Sequence, residues 1–145
     1  MNTIKGPAIF LAQFMDDKPP FNSMKEICKW ASNLGYKGVQ IPTWDPRCID
    51  LERVANDSVF ANEFKSEIES YGVEITELST HLQGQLIAVN PAYDEMFDGF
   101  APEKYKKNPS KRTEWAINQL NLAAKASNNL GLSAHVTFSG AFIWP

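Results

Sequence analysis

One phrase recurs three times along this chain: a helix-start signal, an apolar stripe at helical spacing, a closing glycine, then a strand-forming run. At Ser23 the segment "SMKE" has the Ser-x-x-Glu spacing of a capping box. Met24, Ile27, Trp30, Ala31 and Leu34 then recur at helical spacing, Gly35 closes the helix, and "KGVQIP" supplies a strand. From Asp57 the stripe is Phe60, Phe64, Ile68 and Tyr71, the closer is Gly72, and the strand is "VEITEL". The third unit has a cap and first-turn proline at Asn108 and Pro109. Its predicted apolar face is Trp115, Leu120, Ala124 and Leu130, followed by Gly131 and "SAHVTF". With "AIFLAQF" at the start, the order is β-α-β-α-β-α-β.

Strands alternating with helices of this length predict parallel strands joined by crossover helices, an α/β class. The predicted strands lie near residues 7–14, 37–42, 73–79 and 133–139, within one domain covering 1–145. The closing glycines fall at 35, 72 and 131, so the second interval is much the longer. The excess is a segment at 84–109 whose Pro91, Pro102, Tyr93, Phe97, Phe100 and Tyr105 predict an ordered loop. It follows a parallel strand and carries aromatics that need shelter, so it is expected to cover a ligand mouth.

In parallel α/β proteins the loops after the strands gather at the carboxyl edge of the sheet, where sites form. The stretch "LSTHLQGQL" at 78–86 falls there, with His81, Gln83 and Gln85 directly behind the third strand. His81 can orient a hydroxyl or carbonyl, ligate a metal or shuttle a proton, or it can be a histidine satisfied by backbone at a strand end. The neighbouring glutamines weigh toward a functional role, because an amide offers both a donor and an acceptor to a hydroxyl-rich ligand. In "PTWDPR", Trp44 and Asp45 read either as an apolar platform with an acceptor or as a surface turn nucleated by Asp45-Pro46. Gln13 and Gln40, near the ends of strands one and two, are ambiguous in the same way. Ser139 lies toward the carboxyl end of the last strand and Trp144 beyond it, whereas His135 at its start reads as structural.

Composition removes several classes. With 14 basic and 17 acidic side chains, a net charge of −3 and no basic block longer than "KYKK", the footprint of a nucleic-acid binder is missing. No stretch approaches the roughly 20 apolar residues of a membrane span, and "PAIFLAQF" lacks the basic lead-in of a signal peptide, so a cytoplasmic location is expected. Cys28 and Cys48 form no Cys-x-x-Cys pair and read as ordinary thiols. Dinucleotide, Walker, His-Glu-x-x-His and Gly-x-Ser-x-Gly motifs are all absent.

The strings "LGYKGVQIP", "YGVEITELSTHLQGQL" and "HVTFSGAFIWP", in this order, resemble the N-terminal half of the sugar phosphate isomerase/epimerase family, the xylose isomerase-like (β/α)8 TIM barrels. Gln40 stands where many members place a glutamate. The resemblance implies a barrel enzyme of sugar metabolism that binds one divalent metal (manganese, magnesium, cobalt or zinc). The metal polarises a sugar carbonyl while carboxylates move the adjacent proton. The family's ligands come mainly from strands five to eight, whereas this chain supplies about four βα units. It is expected to be a truncated, substrate-side half, inactive and without a tight metal site of its own, its two histidines lying at opposite ends of their strands.

A full barrel takes about 250 residues, so the expected partners are a sugar or cyclitol and a complementary half-barrel or a second copy. The expected substrate contacts are Gln13, Trp44, His81, Gln83, Ser139 and Trp144. The alternative is a non-catalytic truncated barrel that binds a sugar or assembles with a second chain.

Overall fold

A computed structural model describes residues 5–140. Four strands, β1 (Ala8–Phe10), β2 (Gly38–Pro42), β3 (Glu74–Ser79) and β4 (His135–Val136), form one all-parallel sheet in the order β1-β2-β3-β4. Sequential parallel strands joined by right-handed crossovers place the connecting helices on one face. The connections carry α1 (Met24–Asn33), α2 (Leu51–Asn56), α3 (Ser58–Ser70), the short α4 (His81–Gln85) and α5 (Asp94–Phe97), and the long α6 (Pro109–Asn129).

The recurring phrase is realised residue by residue. The Ser23 hydroxyl accepts from the Glu26 amide, Asp57 accepts from the Val59 and Phe60 amides, and Asn108 accepts from the Lys111 amide, each satisfying an orphan donor of a first helical turn. Gly35, Gly72 and Gly131 take φ of 90°, 88° and 69°, the left-handed region that closes a helix without steric cost. Ile9, Val39, Ile41, Ile75 and Leu78 from the strands join Ile27, Ala31, Ile68, Ala123, Ala126 and Leu130 from the helices in the main core.

Several expectations are corrected. Strand one ends at Phe10 rather than 14, because the Leu11 amide makes the last bond, to the Gln40 carbonyl, and the chain then turns into a 3-10 segment at Ala12–Phe14. The last strand is only His135–Val136. Beyond it, the Gly140 amide bonds the Gly84 carbonyl, which draws the chain under α4. Two elements are additional. α2 precedes the Asp57 helix under its own Asp50 cap, and the polar stretch after β3 is itself a helix, α4. On α6, Ala124 is exposed and Leu120 half-buried, whereas Arg112, Ala116, Ala123, Ala126, Ser127 and Leu130 turn inward. Ala123, Ala126 and Ser127 keep the inner face of α6 low where it meets α2, and the Asn129 amide donates to the Val54 and Ala55 carbonyls, closing that helix at 2.9 and 3.1 Å.

The segment after α4 is a string of short helical turns with its own small core: Leu86, Phe97, Ala101 and Ala116, flanked by Tyr93, Phe100, Tyr105 and Trp115. Its anchor is Arg112, whose side chain is 1% exposed and reaches Asp94 at 2.6 Å and Asp98 at 2.7 Å. Anchoring on the first turns of α6 holds the segment at the carboxyl end of the sheet, as its position after a parallel strand requires. Among the described residues its ring pairs are internal or with α6: Phe97 with Phe100, and Tyr105 with Trp115.

Candidate functional site

Each of the four strands delivers an aromatic side chain at its carboxyl end. Phe10 is the last residue of β1, Trp44 follows β2, His81 opens α4 after β3, and Phe138 follows β4. They meet. His81 lies edge-on to Phe10 at 5.2 Å between ring centroids, tilted against Phe138 at 4.8 Å and against Trp44 at 6.1 Å, while Phe10 and Trp44 meet edge-on at 6.2 Å. The chain exit from β4 is held against α4 at Gly84, where a Cβ would collide with the Phe138 backbone and the Thr137 hydroxyl.

Burial lowers the pKa of His81, so this imidazole favours its neutral form, with one nitrogen to donate and one to accept. His135 is held by hydrogen bonds: its Nε2 lies 2.9 Å from the Thr80 hydroxyl and its Nδ1 3.4 Å from the Ser127 hydroxyl. Burial first, and then the charge of His81, lower its pKa too. The two histidines therefore sit at the same end of the sheet, a correction to the expected separation: His135 pairs with Leu78 late in β3, two residues before Thr80.

Beside the aromatic cluster runs a polar row. Parallel register places Phe10, Gln40 and Glu77 side by side on β1, β2 and β3, and the Gln40 amide donates to the Glu77 carboxyl at 2.7 Å. Val39 and Ile41 face the helices, so alternation turns this row to the opposite face. Glu77 arrives there through a bulge: Val39 pairs with Ile75, but Gln40 pairs with Glu77, and Thr76 is the extra residue.

Of the residues expected to bind substrate, Trp44 and His81 come together. Gln83 is buried close by, where its amide donates to the Thr43 hydroxyl at 3.3 Å. Gln13 is exposed on the 3-10 turn after β1, and Ser139 is exposed past β4, so neither joins the cluster. Trp144 lies outside the described residues. Asp45 serves the turn, not the platform. It accepts from the Arg47 amide at 2.9 Å and pairs with that guanidinium at 2.7 Å, and these hydrogen bonds hold its carboxyl below the usual range despite burial. Phe10, Phe138, Thr43 and Glu77 are site residues that sequence reasoning passed over.

A cleft of about 320 Å3 opens beside Trp44, lined by Thr43, Trp44, Pro46, Ile49, Asp50 and Leu51. Among the described residues no three His, Cys, Asp or Glu side chains converge. Cys28 and Cys48 are free and buried, and burial pushes their thiols up to about 12, which favours the protonated form over the thiolate. No described helix is long and apolar enough to cross a membrane.

No protein-family model matches the chain, and no curated protein matches it. Among solved structures it is similar to a D-threo-3-hydroxyaspartate dehydratase from Delftia sp. HT23, at 12% identity and a TM-score of 0.30. The match covers 79% of this chain and 32% of that one, so the chain spans about a third of that protein's length.

Proposed function

We propose that this chain forms the N-terminal half of a (β/α)8-type barrel, and that its strand ends are the substrate wall of a sugar or cyclitol isomerase or epimerase. The observation that carries the reading is the convergence of Phe10, Trp44, His81 and Phe138, one from each strand end. Aromatic faces suit the C–H faces of a sugar ring, and a few convergent polar groups set orientation. A neutral imidazole and an amide–carboxyl pair are such groups. All can exchange hydrogen bonds with hydroxyls, and the wall carries no fixed positive charge.

These residues are assigned binding. Moving the proton beside the carbonyl, with a divalent metal, is assigned to the other half of the barrel. The test is titration of the full chain with a neutral aldose, its ketose isomer and myo-inositol, followed by saturation-transfer NMR. Binding that broadens or shifts Trp44 and His81, and weakens about tenfold or more in Trp44→Ala and His81→Ala, supports the reading. Sugars that leave both residues unperturbed contradict it.

A further inference from the structure

Inside β3 the ladder slips by one residue: Val39 pairs with Ile75 but Gln40 with Glu77, and Thr76 is the extra residue. Strict alternation from Ile75, which sits in the helix-side core, would return Glu77 to that apolar layer. The bulge brings Leu78 there instead and turns Glu77 to the opposite face, beside Gln40.

Three contacts hold this arrangement. A Cβ at Gly38 would collide with the Thr76 methyl, so the glycine leaves that space to Thr76. The Thr76 hydroxyl donates to the Val39 carbonyl at 3.1 Å, at the step where the register shifts. The Gln40 amide then meets the Glu77 carboxyl at 2.7 Å. Bulges beside sites re-aim side chains, and the group re-aimed here is a half-buried carboxyl. Its hydrogen bond comes from a neutral amide, and among the described residues it has no ion-pair partner. That bond occupies one acceptor position of a group whose two oxygens offer about four, so both oxygens keep room for incoming donors. Phe10 flanks Gln40 in the same row and meets His81, which joins the row to the aromatic cluster.

We infer that Glu77, aimed by the Thr76 bulge and steadied by Gln40, is the specificity-determining residue of this wall, its two carboxyl oxygens taking a pair of adjacent hydroxyls on the ligand. The inference rests on the sugar-binding reading and narrows it to polyols with hydroxyls on neighbouring carbons. Thr76 is a positioning residue, acting through the direction in which Glu77 points.

Two measurements on the full chain decide the matter. The first needs no ligand: nuclear Overhauser contacts from the Gln40 side-chain NH2 protons to the Glu77 γ-methylene are expected in the wild type and in Thr76→Ser. They should weaken in Thr76→Val, which keeps the side-chain shape and loses the hydroxyl. Their absence from the wild type, or their full retention in Thr76→Val, overturns the inference. The second uses as probes myo-inositol, a cyclohexanetriol with its hydroxyls on neighbouring carbons, and the isomeric triol with none adjacent. The first triol is expected to bind about tenfold or more tightly than its isomer, a preference erased in Glu77→Leu. Equal binding of the two triols, or a preference kept in Glu77→Leu, overturns the inference while leaving sugar binding intact. Failure of myo-inositol to perturb Trp44 and His81 overturns the sugar-binding reading and this inference with it.

Discussion

At the residue scale, the two histidines give the molecule a defined response to acid. Both have folded pKa values below the ordinary 6.5, His81 through burial and His135 through burial and the neighbouring His81. Between 6.5 and those lower values the unfolded chain binds more protons than the folded one, so stability is full above 6.5 and falls as pH drops through that window. Asp45 and Asp98 act lower. For Asp98 burial pushes the carboxyl up, but hydrogen bonds from the Lys107 amide and Arg112, with the charges of Arg112 and Lys106, outweigh it. Both carboxyls sit below their ordinary 3.8, so their contribution is present above that pH and is lost as pH falls through their folded values. Urea midpoints at about pH 7.5 and about pH 5.5 should therefore differ in the wild type and converge in the His81→Asn/His135→Gln double variant. An unchanged difference would show that other groups control the response.

Much at this scale was legible in advance, and the misses have physical causes. Trp44 and His81 stood out because they are unusual side chains directly after strands, whereas Phe10 and Phe138 look like ordinary core residues until the sheet places four strand ends together. Gln13 and Ser139 were chosen by the same rule and lie exposed, because the chain turns immediately after Leu11 and Val136. Glu77 carried an unread signal. Apolar positions 73, 75 and 78 break the two-residue period by one, which is the mark of the bulge that brings Glu77 beside Gln40.

At the element scale, α4 and the segment after it depend on two contacts. Gly84→Ala forces its new methyl into the Phe138 backbone, which cannot yield as a flexible side chain would. The variant should lose about 1–3 kcal/mol by urea unfolding and separate His81 from Phe138. Arg112→Ala removes the cation from Asp94 and Asp98 and opens a gap in the small core, at a cost of about 3 kcal/mol. Hydrogen exchange should then rise across residues 86–108 first, with the β2 and β3 amides still protected. Uniform loss of protection would mean that the segment and the sheet unfold as one unit. The helix–glycine–strand phrase located three of the longer helices because caps and closers act locally. α2 and the interior face of α6 were not legible, since each exists to pack against the other.

At the scale of the whole molecule, the sheet is open. β1 pairs with β2 alone and β4 with β3 alone, so each leaves one edge of backbone donors and acceptors unpaired among the described residues. Among the described residues, the helices that share the main core pack on the face opposite Phe10, Gln40 and Glu77. Phe10, Gln40 and Glu77 on that face are only half-buried, so a facing wall would bury them further and could pair the open edges. The half-barrel proposal therefore requires a complementary wall, supplied by a second half or by another copy. Sedimentation velocity of the chain at low micromolar concentration tests this most directly. The account predicts species heavier than the 16.3 kDa monomer, or a monomer that becomes stable only with its complementary half. A folded, stable 16.3 kDa monomer as the sole species would contradict it.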